Sequence, residues 1–305
     1  MRRNEVLAQT ALAYVEALAA RQRLLLAEDP MKLARETVTA VDARVNAAVS
    51  SPAESARARA GLAAAQAEYA RAKAASASAD SQLAFLLGGD AANLGTLAGS
   101  LKVPDALPPK SDFDASLSTH PQRALQEAVI AGRRAALELE QSHVVQDVTI
   151  GGGVRFFRES SDAALVAEFS MPLPFRNRNQ GSIRAARERL SGAEQSVRVV
   201  ELKLRSTLLA ARQDLEAAHD VIQNLRRNAL PAADDAHTAV RNAYEQGQLP
   251  LIDVLDAQRA LVALRHQIIE AQFAYATALV RIESLTNPTY PLLAALLASS
   301  EPFQP

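Results

Sequence analysis

The sequence predicts a mainly α protein, built of long antiparallel coiled-coil helices with one β-hairpin. Three observations carry this. Apolar residues step alternately by three and four through most of residues 179–245, the seam of a coiled coil. The apolar fraction is 49%, yet aromatics make up only 4%. Much of the apolar content is therefore Ala, the strongest helix former. Finally, only residues 147–171 alternate with period two, the strand signature.

The elements follow in order. Residues 3–47 read as helix with Pro30 as an interruption. "AAVSSPAES" (47–55) is a break, and Pro52 marks the next helix start. Residues 53–87 form a very Ala-rich helix that ends at Gly88 and Gly89. Residues 88–119, with "VPDALPPKSD" among them, lack periodicity and read as a connector. A helix over about 120–144 precedes the period-two segment. A long helix over 179–245, a turn at 246–250 and a returning helix over 251–286 complete the pattern. "TNPTYP" stops that helix, and residues 287–305 read as a tail.

In the long helix the seam is Ile183, Ala186, Leu190, Ala193, Val197, Val200 and Leu204. It resumes after one extra four-step at Leu208, Ala211, Leu215, Ala218, Ile222 and Leu225. That extra step is a stutter, which locally unwinds a supercoil. Leu261, Leu264, Ile268, Ala271, Tyr275, Ala278, Ile282 and Leu285 repeat the rule in the returning helix. Val262, Ile269 and Leu279 add a second row beside it, which predicts neighbours on two sides. At a rise of 1.5 Å per residue, 179–245 would span about 100 Å.

The chain also repeats internally. Aligning Glu54 with Asp253 brings Val45 onto Tyr244, Ala58 onto Ala257, Leu62 onto Leu261 and Leu83 onto Ile282, with Pro52 beside Pro250. Residues 1–87 thus read as a partial first repeat, a helical hairpin with its tip near 48–52. Residues 120–286 read as a second repeat with its tip at 246–250.

"VTIGGGVRFF" (148–157) places Ile150, Val154 and Phe156 on one face, with Thr149 and Arg155 on the other. "ALVAEFSMP" (164–172) places Leu165, Ala167, Phe169 and Met171 opposite Glu168 and Ser170. Strands of about ten residues with one apolar face fit a transmembrane β-barrel. The same pattern fits a half-buried soluble hairpin. In either case two strands need partners beyond themselves.

Several function classes are excluded. A formal net charge of -1 is unlike the basic surface of a nucleic-acid binder. With no Cys there is no disulfide, thiol nucleophile or Cys-based zinc site. His120, His143, His219, His237 and His266 form no HExxH motif or i, i+4 pair, and read as solvated. Gly151, Gly152 and Gly153 sit within a strand pattern and do not precede a helix, so they are not a phosphate loop. No window has 18 or more consecutive apolar residues, so no transmembrane helix is predicted. The first 29 residues lack the unbroken apolar stretch of an export signal. Arg176, Arg178, Arg184, Arg187 and Arg189 make a basic stretch that reads as a solvated face.

"YEQGQLPLIDVLDAQ" (244–258) is the sharpest local feature. Gly247 and Pro250 break the helix, and Asp253 and Asp256 follow three apart, with no basic residue expected to pair with them.

The order strand, strand, "PLPFRNRNQGSI", long helix, "YEQGQLPLIDVLDAQR", returning helix resembles the TolC-like outer-membrane efflux proteins. "PLPFRNRNQG" (172–181) is most similar to the heavy-metal cation efflux branch, the CzcC-like proteins. The resemblance implies a protomer of a homotrimeric channel, a β-barrel in the Gram-negative outer membrane continued by an α-barrel into the periplasm. It implies a passive conduit, not an enzyme, needing no cofactor and no resident metal. The implied partners are a periplasmic adaptor, an inner-membrane pump and outer-membrane lipid, with substrates that include heavy-metal cations. The tip residues Tyr244, Gly247, Asp253, Asp256 and Gln258 would form the channel aperture. Pro172, Pro174, Asn177, Asn179 and Gly181 would form the junction between barrel and helix. Family members have two repeats, each with a β-hairpin, and this sequence begins inside the first, so it reads as N-terminally truncated. A periplasmic adaptor, which flanks its helical hairpin with a split β domain, and a coiled-coil scaffold are the alternative readings.

Overall fold

The computed structural model describes residues 2–91, 94–108, 120–145, 147–159, 162–171, 178–286 and 289–298. The chain forms two compact units, one of residues 1–117 with 205–305 and one of residues 118–204.

In the first unit, α1 (Arg2–Asn46) and α2 (Pro52–Leu86) form an antiparallel pair. Pro30 does not interrupt α1, contrary to the sequence expectation. A mid-helix proline costs about 3 kcal/mol. Leu26 and Val41, buried on either side of it, show that packing holds the helix through that point. Arg21 pairs with Asp80 of α2 at 3.1 Å, and α1 also packs on α6 (Leu251–Thr286).

The predicted long helix is α4 (Gln180–Asn224), a π turn (Leu225–Ala229) and α5 (Leu230–Glu245). The predicted seam is the buried face of α4, where Leu204, Leu208, Leu215 and Ile222 are inaccessible. The π turn has a local cause in Pro231, just inside α5. A proline ring collides with the carbonyl four residues back, here that of Arg227. The wider π turn moves that carbonyl aside.

The main core of this unit joins Val15 and Leu18 of α1, Leu208 and Ile222 of α4, and Tyr275, Leu279 and Ile282 of α6. Burial of both Ile269 and Leu279 beside Ile268 and Tyr275 gives α6 its two-sided packing. Two segments contribute more than the sequence suggested. In the connector, Leu101 and Val103 are buried in the core. The expected tail contains α7 (Pro291–Leu297), whose Leu293 and Leu296 complete the core.

Polar contacts fix both segments. Tyr14 Oη donates to the Ala98 carbonyl at 2.5 Å, and an Arg226 nitrogen donates to the Val103 carbonyl at 3.4 Å. His219 Nε2 lies 3.1 Å from the Asp105 carbonyl. His219 is therefore buried and not solvated, because the helical face it shares with Leu215 and Ile222 is covered by the connector. Glu283 is 1% exposed, and its carboxylate accepts the backbone N–H groups of Leu292 and Leu293 at 2.6 and 3.0 Å. These are two of the unpaired donors at the start of α7.

The second unit contains α3 (Pro121–Ser142), the hairpin β1 (Thr149–Phe157) and β2 (Asp162–Ser170), and the first part of α4. His120 caps α3, its Nδ1 accepting the Gln122 N–H at 3.2 Å, and burial lowers its pKa. Helices α3 and α4 are joined at two levels. Arg123 lies 3.4 Å from Glu201, and the Asn179 amide donates to the Glu140 carbonyl and carboxylate at 2.9 and 2.7 Å.

Candidate functional site: the paired turns and the exposed hairpin

The two turns of the first unit have the same backbone construction. At 246–248, Gly247 has φ +72°, its N–H donates to the Tyr244 carbonyl, and the Gln248 N–H donates to the Ala243 carbonyl. This is a Schellman motif, which ends a helix on a left-handed residue. In the earlier turn Ala48 has φ 58°, its N–H donates to Val45 and the Val49 N–H donates to Arg44. The repeat alignment places Ala48 opposite Gly247. The next helices start alike as well, through Glu54 N–H to Ser51 and Asp253 N–H to Pro250.

The turns are packed together. Val41, Ala58 and Leu251 form a buried cluster, with Val38, Val45, Tyr244 and Leu255 against it. An Arg44 nitrogen donates to Tyr244 Oη at 3.3 Å, and its guanidinium carbon lies 5.3 Å from the Tyr244 ring centroid. Asp42 accepts from Ser55 Oγ at 2.5 Å and from Arg59 at 3.0 Å. Those two contacts, Ser55 first, hold its carboxyl below the usual carboxylate range.

Two unpaired carboxylates are expected from the sequence, and the structure corrects this for Asp256. Arg259, three residues on, lies 3.1 Å from it. Both side chains are well exposed, so the pair contributes little stability. Asp253 is half-exposed, and its carboxylate has no partner among the described residues. Gln258 is half-buried and lines a groove of about 580 Å³ with Ala34, Ala58, Gly61, Leu255 and Val262. Sequence reasoning missed Arg44, which nothing in its own spacing marks.

In the second unit the hairpin register settles its faces. Ile150 pairs with Phe169, Gly152 with Ala167, Val154 with Leu165 and Phe156 with Ala163. Side chains of directly paired residues share a face, so this face is wholly apolar. It is also exposed: Ile150, Phe156, Leu165 and Phe169 are 79%, 78%, 91% and 69% exposed. Thr149 with Ser170, Gly151 with Glu168 and Arg155 with Ala164 make up the other face.

At the junction, Asn179 adopts φ 55°, accepts the Ile183 N–H and ties the start of α4 to Glu140. Gly181 lies in the first turn of α4 with open space around it. Pro172, Pro174 and Asn177 lie outside the described residues.

No helix among the described residues is long and apolar enough to cross a membrane. Among the described residues, the strand pair carries the continuous exposed apolar face. The sequence profile described as "Outer membrane efflux protein" matches residues 123–288, more than half of the chain. The chain belongs to this family. The family's match includes the strand hairpin, the long helix and the second turn. The cobalt-zinc-cadmium resistance protein CzcC of Cupriavidus metallidurans is 28% identical over 86% of this chain and 63% of its own length. The nickel-cobalt-cadmium resistance protein NccC of Alcaligenes xylosoxydans is 29% identical over 84% of the chain and 57% of its length. The chain thus spans less than two thirds of these relatives. Among solved structures, CusC superposes with a TM-score of 0.78 at 18% identity, covering 93% of this chain and 68% of that one. The Vibrio cholerae outer membrane protein VceC gives a TM-score of 0.75 at 17% identity, covering 93% and 70%. The fold is that of an efflux-channel protomer.

Proposed function

We propose that the chain is a protomer of a homotrimeric outer-membrane channel in a tripartite efflux system. It works with a periplasmic adaptor and an inner-membrane pump, as a passive conduit from the periplasm to the exterior. It performs no chemistry and needs no cofactor. The observation that carries this reading is the hairpin: nine-residue strands with one continuous apolar face, all of it exposed. That strand length matches the 9–11 residues that cross a bilayer at a tilt. Two strands alone are not a stable sheet, and closing a barrel with strands from other copies removes both free edges. Two relatives named for metal resistance favour heavy-metal cations as substrates.

In this reading the turns at 48–52 and 246–250 are the periplasmic tip, with the hairpin–helix junction at the other end of the α-barrel. Copies of Asp253 and Asp256 would converge around the channel axis, repel one another and attract cations. Single-channel conductance in planar bilayers tests this. The variant with Asp253→Ala and Asp256→Ala is expected to conduct more, with weaker block by divalent cations. Unchanged conductance and unchanged block would remove the two aspartates from the aperture.

A further inference from the structure

The start of α4 carries an unusual run of charge. Arg178, Arg184, Arg187 and Arg189 are all exposed, and Glu188 is the one acid among them. None of the four has an ion-pair or hydrogen-bond partner among the described residues. Some arginines elsewhere in the second repeat are matched, such as Arg123 with Glu127 and Glu201, Arg259 with Asp256, and Arg265 with Asp234. Arg133, Arg134, Arg198 and Arg205 are exposed and also without a partner among the described residues. What sets the start of α4 apart is the density of its arginines. Glu140, which α3 brings to this end, is engaged by Asn179. Arg184, Arg187 and Arg189 lie within about 8 Å along α4, and Arg178 lies just before the helix. They belong to the same compact unit as the hairpin with the exposed apolar face.

We infer that these arginines form a surface for anionic phospholipid headgroups, in the leaflet from which the hairpin enters the membrane. This rests on the proposed placement of the hairpin in a bilayer. A guanidinium matches phosphate through two parallel N–H donors and is only weakly hydrated, so it suits a headgroup layer. A basic residue near an anionic membrane surface contributes about 1 kcal/mol. The attraction decays over a Debye length, about 8 Å at physiological salt. Arg198, on the same helix, lies about 14 Å beyond Arg189, so it is outside that range. The surface thus depends on depth along the helix and not on basic character alone.

The test is co-sedimentation of the full chain with vesicles of phosphatidylcholine alone and of phosphatidylcholine doped with phosphatidylglycerol. Doping is expected to raise the partition coefficient more than tenfold. Combined Arg184→Gln, Arg187→Gln and Arg189→Gln should abolish that rise, while Arg198→Gln should preserve it. An undiminished rise in the triple variant, or an equal loss in Arg198→Gln, overturns the inference. So does competition by inorganic phosphate beyond that of chloride at matched ionic strength, which would mark a site for free phosphate. The hairpin is scored separately on undoped vesicles, where Leu165→Asn with Phe169→Asn should weaken binding. If it does not, the hairpin placement fails, whereas loss of the doping effect in the arginine variant would still support the lipid surface.

Discussion

At the scale of single residues, the two turns differ in one respect that the repeat makes measurable. A residue with a side chain in the left-handed region is strained by about 1–2 kcal/mol, whereas Gly is not. Ala48 carries that strain and Gly247 avoids it. A Cβ at Gly247 would meet open space, so only the backbone opposes it. Gly247→Ala should therefore lower unfolding free energy by about 1 kcal/mol, and Ala48→Gly should recover most of a similar amount. Urea denaturation of the two variants checks both signs. The glycine was legible as a helix stop, but its counterpart was not, because alanine is ordinarily a helix former and only the backbone shows what Ala48 does.

Glu283 is a second residue with a definite sign. Burial raises its pKa, and the N–H groups of Leu292 and Leu293 offset only part of that effect. The folded chain then keeps a proton that the unfolded chain has released. Its contribution to stability is full below the ordinary glutamate range and is lost as pH rises through the raised value. Thermal unfolding across that window should fall for the wild type relative to Glu283→Gln, whose side chain does not titrate. A difference that does not vary with pH would contradict this. One signal in the sequence could have revealed the site: a single acid beside Ile282 and within one turn of Leu279, ahead of a proline-led helix.

At the scale of elements, the seam is the most legible feature and the easiest to challenge. Ile222 is fully buried, whereas Leu202 on the same helix is 60% exposed. Ile222→Ala should cost about 2–5 kcal/mol, and Leu202→Ala should stay within about 0.5 kcal/mol. Similar losses at both would mean that α4 presents a different face. The helices were readable because one period of three and four persists over many turns. The π turn was not readable as such, since Pro231 permits a kink, a break or a widened turn, and local geometry decides among them. Helix α7 was hidden by its length: seven residues are too few for a period to show, and its stability comes from the core and from Glu283. The connector posed the opposite problem, with Leu101 and Val103 buried singly in irregular backbone that has no repeat to reveal them.

At the scale of the whole molecule, the proposed assembly would cover surfaces that the single chain leaves exposed. Its hairpin exposes a continuous apolar face, its two strands pair with no other strand among the described residues, and α3 has no buried residue. Sequence pattern found the strands and their faces, but left the lipid-facing and soluble readings both open. What separates them is what covers the apolar face in the assembled protein, which alternation along one strand does not encode. The aperture is readable only in part, because Asp253 and Asp256 acquire their proposed role when copies meet around an axis. Trimeric assembly is thus the central claim, and native mass spectrometry of the protein released from detergent micelles tests it most directly. The predicted species is a complex of three copies of the 32.6 kDa chain, stable only when detergent or lipid covers the hairpin. A monomer that stays soluble without detergent would contradict it.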